Sequence, residues 1–502
     1  MYNKKLNIYE FETDGKNKYI FDNATGLVIP NSNSIKYIIE NYSLGEELII
    51  KYLTEKLDRS ESTAKIEYNY IRNLINIGYF YKQSSPTSFS AEDCKNLMLR
   101  SSGSQLILIL TEECNLRCKY CVYSDHYSEH KTYSNKRMTF KIAKQAIDTY
   151  MMWYHKKKIH GFRETPRISF YGGEPFLEYK LIEQIIDYCK EKDYQAQFLA
   201  TTNGTVFNDT IIEMVVNNNF HLSFSLDGNK LNNDRNRVFK HGGGTFDIIL
   251  KNVKSLQNIR NSRQISQPLS FVCCYDSYSD MNAILSFFRE SRKYLGEFQL
   301  IFNEVYKYDT TYYDYCNKRY EDGDLTVDNK TFSRSVNKLR NKFLNEAKEG
   351  IDSSPLTSLL FQALYYYKYK AQGFESPLGN ACVPGDKLAV DPEGNFFICE
   401  KATQQYKIGD INSGISWNEV AALTNKFLIL RAEYCGNCKI SRLCDACYVH
   451  FMRNDNLEFN DLFCADKKKQ IETTLSILYS TLEINPNAFF LDGEQNFENS
   501  NC

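Results

Sequence analysis

The sequence lacks an excess of either charge: 61 Lys plus Arg stand against 62 Asp plus Glu in 502 residues, a net of −1. A chain so balanced has no electrostatic footprint for nucleic acid or for an anionic membrane surface. Long apolar runs are missing too. The stretch Gln105-Leu-Ile-Leu-Ile-Leu110 falls far short of the ~18 residues that a spanning helix needs. The amino terminus, Met1-Tyr-Asn-Lys-Lys-Leu-Asn-Ile, has two lysines and no apolar core behind them, so a secretory signal is not expected. These absences predict a cytoplasmic, soluble chain with no nucleic-acid and no membrane partner. Its length is about three times the ~150-residue domain prior, which predicts two to four domains.

Cysteine, by contrast, is plentiful and clustered. A chain without an export signal keeps its thiols reduced, and grouped thiols there hold metal more often than disulfides. Of sixteen cysteines, Cys114, Cys118 and Cys121 fall on one short stretch. Cys382, Cys399, Cys435, Cys438, Cys444 and Cys447 form a second block, with Cys464 close behind. Cys94, Cys189, Cys273, Cys274 and Cys316 are isolated and read as small buried apolar residues, and Cys502 as a tail residue.

Residues 1–82 read as one module. Strand-like segments at 8–11 and 18–21 are separated by Asp14-Gly15, and Asn23–Gly26 turns into a third at 27–29. Helical stretches follow near 34–42, 45–57 and 61–77, the last with Ile66, Tyr70, Leu74 and Ile77 at helical spacing before Gly78. Strands followed by three helices suggest a winged-helix-like domain. Residues 1–80 carry 10 basic and 11 acidic side chains, so a peptide or protein fits better than DNA. The Ser-rich stretch 83–104, with Pro86, reads as a linker.

From 105 to 303 the chain alternates strand and helix. Apolar runs at 105–110, 167–171, 196–202, 221–226, 268–274 and 298–303 are separated by amphipathic segments. The pattern predicts an α/β fold with a parallel sheet or partial barrel. Chemistry in such folds sits on loops after the strands' carboxyl ends. The motifs fall there: three cysteines after the first strand, Gly172-Gly173-Glu174-Pro175 after the second, Thr202-Asn203-Gly204 at the third and Ser225-Leu-Asp227-Gly228 at the fourth. Residues 304–378, including Tyr365-Tyr-Tyr-Lys-Tyr369, read as a bridging helical region, 379–470 as a cysteine-rich domain, and 471–502 as a C-terminal helix and acidic tail, with the helix near 466–483.

Cys114-x3-Cys118-x2-Cys121 offers three thiolates on one tight loop. A structural zinc site wants four ligands, whereas three suit a four-iron cluster that leaves one iron open to substrate or cofactor. With the aromatic Tyr120 before the third cysteine, the motif resembles that of the radical S-adenosylmethionine (SAM) superfamily. Gly172, Gly173, Glu174 and Pro175 resemble that superfamily's motif for the cofactor's amino group. The resemblance implies a partial (β/α)6 barrel and S-adenosylmethionine chelated by the open iron. Reductive cleavage would then give a 5′-deoxyadenosyl radical that abstracts hydrogen from substrate. It further implies Ser225 near the cofactor's ribose and Arg237 near its carboxylate.

The second block, Cys382-x11-Gly394-x4-Cys399, then Cys435-x2-Cys438-x5-Cys444-x2-Cys447 and Cys464, has a strong turn at Val390-Asp-Pro-Glu-Gly394. It resembles the SPASM extension, which holds two auxiliary four-iron clusters, for three in all. The resemblance assigns Cys435, Cys438, Cys444 and Cys464 to the outer cluster and Cys382, Cys399 and Cys447 to the inner one. Two departures stand out. Two residues, not three, separate Cys444 from Cys447. The extra cysteine that sulfatase-maturating relatives carry is absent from Phe374–Asn380, which implies an open iron for a substrate thiolate.

An N-terminal module ahead of such a core resembles the leader-peptide recognition domains of enzymes that modify ribosomal peptides. The implied activity is that of a sactipeptide- or ranthipeptide-type maturase, joining a cysteine sulfur to a carbon. A cysteine-containing precursor peptide with a leader would be its substrate and a flavodoxin or ferredoxin its reductant. Carbon–carbon crosslinking or another radical oxidation of a peptide by the same core is the alternative. From a different class comes a zinc-stabilised, non-catalytic peptide-binding protein. No catalytic acid or base can be named. Glu304 and His126 lie where they could face the site, but an exposed or structural role is the expectation for both.

Overall fold

A computed structural model describes residues 5–82, 88–127, 131–349, 376–453 and 456–488. The N-terminal module opens with strands β1 (Ile8–Glu12), β2 (Lys18–Asp22) and β3 (Val28–Pro30), an antiparallel sheet in sequence order. Helices Asn33–Asn41, Glu46–Lys56 and Glu61–Asn76 follow, within a residue or two of the expected bounds. Ser32 and Ser60 cap the first and third by accepting from Ile35 and Thr63 backbone N–H groups. The module's core is its own: Ile20, Ile29, Ile38, Ile39, Leu53, Ile71 and Phe80 pack together.

Six parallel strands make the central sheet: β4 (Gln105–Thr111), β5 (Arg167–Gly172), β6 (Gln197–Thr202), β7 (His221–Ser225), β8 (Leu269–Tyr275) and β9 (Phe298–Glu304). Each lies on its predicted apolar run. Alternation decides which face does what. Ile168, Phe170, Phe198, Ala200, Leu222, Phe224, Phe271 and Cys273 are buried in the main core with helix residues such as Ile147, Ile185, Val215, Val253 and Phe288. Tyr171, Thr201, Ser223, Ser225, Val272 and Cys274 lie between them and are only partly buried, so the opposite face is lined by small and polar groups.

The sheet does not end at β4. Strand β10 (Lys387–Val390) pairs parallel with it, and β11 (Asn395–Phe397), β12 (Gly409–Asp410) and β13 (Gly414–Ile415) continue antiparallel, giving ten strands in one sheet. The β10–β11 hairpin turns where Val390–Gly394 predicted. Asp391 Oδ1 accepts from the Glu393 and Asn395 N–H groups at 2.9 and 2.8 Å, and Gly394 takes φ +85°. The second cysteine block is therefore built onto the edge of the central sheet.

Two expectations need correction. The stretch 83–104 is not a plain linker, because Ala91–Arg100 is a helix closed by a Ser90–Asp93 capping box, with Cys94, Met98 and Leu99 buried. The last helix begins at Asp461, capped by Asn460, so a boundary at 470/471 would cut it and Cys464 sits in its first turn. Of the bridging region, helices Tyr312–Glu321 and Asn329–Lys348 are present, while Tyr365–Tyr369 and the Cys502 tail lie outside the described residues. Among the described residues no helix is long and apolar enough to cross a membrane.

Candidate functional site

The loop after β4 is held from both sides. On one, the Gly173 N–H donates to Thr111 O at 2.8 Å and the Glu174 N–H to Glu113 O at 3.0 Å. The approach is so close that a Cβ on Gly173 would stand 2.1 Å from Glu113 O. Gly172, at φ +140°, would put one 2.3 Å from Thr111 O, so only glycine fits either position. On the other side, the Arg117 and Lys119 N–H groups donate to Val238 O and Asn236 O at 2.8 and 3.1 Å, and the Lys240 N–H returns to Asn115 O at 3.0 Å. The cysteine loop is thus laced between the glycine motif and the segment that carries Arg237.

Cys114 and Cys118 are buried on that loop and Cys121 is partly so. The Leu116 N–H and Asn203 Nδ2 approach Cys114 Sγ at 3.4 and 3.7 Å. Burial, then the Glu174 carboxylate and the two neighbouring thiols, push the Cys114 thiol up to about 12. Burial pushes Cys118 up to about 11 against the pull of Arg237. Such thiols keep their protons until a cation replaces them, which is what iron does. Among the described residues no three His, Cys, Asp or Glu side chains converge as they would round a single ion. The thiolates of a four-iron cluster bind separate irons and need no such convergence, so this donor set fits that group.

Glu174 is a hub. Its fully buried carboxylate accepts from Thr202 Oγ1 at 2.8 Å, from the Asn203 N–H at 2.7 Å and from the Phe176 N–H at 3.1 Å, tying the ends of β5 and β6 together. Burial raises it from 4.5 to about 7, against those three hydrogen bonds. Pro175 opens the short 3-10 turn that Glu174 caps. Across the mouth, Tyr120 Oη donates to Asp227 Oδ2 and accepts from Arg237 Nη1 at 2.9 Å. Asp227 Oδ1 also accepts from the Cys274 N–H at 2.9 Å. The Arg237 Nε is buried and has no hydrogen-bond partner among the described residues, a spare donor beside the cysteine loop. Ser225 ends β7 on the open face of the sheet, two residues before Asp227.

Thiols of the second block act on one another. The Cys399 thiol is raised to about 12, by burial first and with Cys447 among the charges acting on it. Cys382 and Cys447 both act on Tyr448. Cys435 acts on Cys444, and Cys438 on Cys464. Cys399 is thus near Cys447, Cys435 near Cys444 and Cys438 near Cys464, while Cys438 and Cys444 pack on one apolar cluster. The Cys399 loop is tied to the segment that follows the β4 loop. Tyr171, on the open face at the end of β5, stands within electrostatic reach of both Cys121 and Glu400. Lys131 donates to Glu400 O at 2.6 Å, and burial lowers its pKa although Cys399 and Glu400 pull it up.

His126 and Glu304 are not brought into the mouth. His126 Nδ1 meets Thr311 Oγ1 at 3.1 Å and its ring rests near Tyr315, while Glu304 is exposed with Lys307 at 3.9 Å. Sequence reading missed Tyr171, Lys131 and Cys274. For Cys274 the signal was available. Period-2 alternation puts it on the face opposite Cys273, where it lies beside Tyr120 rather than in the core. Tyr171 is inward by the same rule. Lys131 had no signal, since only the tertiary fold brings its segment to Glu400.

Comparison with known proteins matches this geometry. Residues 108–265 match the model of the Radical SAM superfamily. An uncharacterized protein of Methanocaldococcus jannaschii is 37% identical over 139 residues, 27% of this chain and 43% of its own length. The radical SAM cyclopropyl synthase TigE of Paramaledivibacter caminithermalis is 20% identical over 436 residues, 85% of this chain and 84% of its own. A cysteine-type anaerobic sulfatase-maturating enzyme of Clostridium novyi is 22% identical over 396 residues, 75% of this chain and 96% of its own. The solved structure of anSMEcpe with bound AdoMet has a TM-score of 0.54 at 16% identity, covering 76% of this chain and 99% of that one. The same protein has been solved with AdoMet and the Kp18Cys peptide, also at a TM-score of 0.54 and with the same coverage, at 17% identity. At these identities the structural likeness is one of fold.

Proposed function

We propose that this radical SAM core modifies a ribosomally made peptide, joining a cysteine sulfur to a carbon of another residue. One observation carries the reading: the segment that follows the β4 cysteine loop is tied to the Cys399 loop, Lys131 donating to Glu400 O at 2.6 Å. Bound there, an iron–sulfur cluster with AdoMet would supply a 5′-deoxyadenosyl radical for hydrogen abstraction.

The chain's own residues do the positioning. Cys114, Cys118 and Cys121 would hold the first cluster. Tyr120, Gly172, Gly173, Glu174, Pro175, Ser225 and Arg237 would hold AdoMet, with the spare Arg237 Nε offered to its carboxylate. Cys382, Cys399 and Cys447 would hold an inner cluster with one open iron for the substrate thiolate, and Cys435, Cys438, Cys444 and Cys464 an outer one. Tyr171 and Lys131 line the space between the two loops.

The peptide's leader would dock on the N-terminal module. The outer edge of β1 is covered by the helix Asp461–Leu482, where Ser476 Oγ donates to Glu12 O and Ser480 Oγ accepts from the Asp14 N–H. Among the described residues β2 is the sole strand neighbour of β3, so its outer edge can take one more strand, the usual mode of β-augmentation. The cyclopropyl synthase match spans 85% of this chain and favours a second reading, in which the new bond joins two carbons.

Mass spectrometry of a cysteine-containing candidate peptide, after anaerobic co-expression with the enzyme, decides between them. The thioether reading expects two hydrogens lost for each thiol that no longer alkylates, and nothing lost with Cys114→Ala. Loss of two hydrogens with every thiol still alkylating would give the carbon–carbon reading. A Cys399→Ala enzyme should keep some AdoMet cleavage and form no crosslink. Full crosslinking by that variant would remove the inner-cluster role.

A further inference from the structure

The loops that carry the outer cysteines are shaped largely by the N-terminal module. Asn23, 1% exposed in the turn between β2 and β3, reaches both halves of the cysteine stretch. Its Nδ2 donates to Ser441 Oγ at 3.0 Å and to Cys438 O at 3.3 Å, and its Oδ1 accepts from the Arg442 N–H at 3.0 Å. Arg442 answers by donating from Nη1 to Ala24 O at 3.0 Å. Lys82 Nζ donates to Gly436 O, and Lys5 Nζ to Asn437 Oδ1, both at 2.7 Å. Phe11 and Phe21 of the module share one apolar cluster with Ile440, Leu443, Ile471 and Leu475, against which Cys438 and Cys444 pack. Cys464 rides on the helix Asp461–Leu482, which abuts β1 through Thr13, Asp14 and Glu12.

Every segment bearing an outer cysteine is therefore touched by residues 5–82, through buried polar contacts as well as apolar ones. Buried hydrogen bonds of this kind orient metal-binding loops, and losing such outer partners weakens metal binding substantially.

We infer that the N-terminal module has a second task besides docking a peptide. It completes and covers the outer iron–sulfur site, with Asn23 as the positioning residue for the Cys438–Cys444 loop. The inference rests on the reading of Cys435, Cys438, Cys444 and Cys464 as ligands of an outer cluster. It follows that deleting residues 1–82 would remove a cluster as well as a peptide site.

The test is iron and acid-labile sulfide content with EPR of the reconstituted full-length chain, wild type against Asn23→Ala. The wild type should hold about twelve irons, four per cluster, and Asn23→Ala about eight. The AdoMet-perturbed signal of the first cluster and uncoupled AdoMet cleavage should stay at wild-type level. Lys82→Met, at an exposed site that the module's fold does not need, should make the outer cluster about tenfold more labile in air, the scale on which outer partners act on metal sites. A wild-type chain holding about eight irons would remove the outer cluster itself, and the inference with it. A wild-type count near twelve that both variants keep, with unchanged lability in air, would overturn the inference alone.

Discussion

Lys157 Nζ stands 3.0 Å from Asp386 Oδ1, and the two join parts of the chain more than two hundred residues apart. The ammonium, 2% exposed, also donates to Ser101 Oγ at 2.9 Å and to Gly103 O. It ties the helix Phe140–Ile159, the start of β4 and the start of β10 into one corner. Burial lowers the lysine pKa and raises that of the aspartate, each against the pull of its partner. Removing one member of such a pair strands the other without compensation. Lys157→Met is expected to cost about 3–5 kcal/mol, while Lys157→Met with Asp386→Leu recovers most of that loss. Urea titration of the four members of a double-mutant cycle checks it.

Gly173→Ala tests the lacing of the cysteine loop. The added methyl would overlap Glu113 O, a backbone atom that cannot rotate away. Overpacking of this kind costs about 1–3 kcal/mol, and here the displaced segment leads directly into Cys114. The expected outcome is a lower unfolding midpoint together with loss of iron from the first site. Iron content equal to wild type would show that the loop yields without harm.

The Glu174 carboxyl should leave a signature in the pH dependence of stability of the metal-free chain. Its pKa is about 7 when folded against 4.5 otherwise, so between those values the folded chain holds the proton and the unfolded chain does not. Stability therefore falls as pH rises through that window, by at most about 3.5 kcal/mol at ~1.4 kcal/mol per unit. Glu174→Gln cannot ionise and should lose that part of the slope between about pH 4.5 and about pH 7. It should also be less stable overall, because its amide NH2 must face the N–H of Asn203 or the donors of Phe176 and Thr202.

Tyr120→Phe removes the hydroxyl that Asp227 and Arg237 share. A buried carboxylate then loses a donor and the guanidinium loses an acceptor. If Arg237 is oriented for the cofactor by this contact, AdoMet affinity should fall about tenfold, the worth of one hydrogen bond to a charged group. Calorimetric titration of AdoMet onto the reconstituted enzyme measures it, and an unchanged Kd would assign Tyr120 a packing role.

Local patterns were legible wherever short-range physics decides them. The six parallel strands appeared as apolar runs because β4–β9 bury alternate or successive residues against helices. The β10–β11 turn appeared because Asp391, Pro392 and Gly394 set its backbone. What stayed hidden was partnership across the chain. Nothing in Lys387–Val390 states that it extends the sheet beside β4, and nothing in Asn23 announces a loop at Ser441. The linker expectation failed at Ala91–Arg100 because the Ser90–Asp93 capping box was outweighed by the surrounding serines. In the site, residue types with fixed spacing were found, whereas Tyr171, Cys274 and Lys131 depend on which way a strand face or a loop points.

The pairing of β10 with β4 makes the separation of the two thiol loops a stepwise quantity. Val390 is aligned with Leu108, and from those rungs the chain runs three residues past Thr111 to Cys114 on one side and through the hairpin to Cys399 on the other. A one-residue slip would turn every side chain of β10 to the wrong face, so the nearest tolerable slip is two residues, roughly 7 Å. Evolution or design can thus adjust the gap finely only in the turns, while the strands act as a ratchet with coarse teeth.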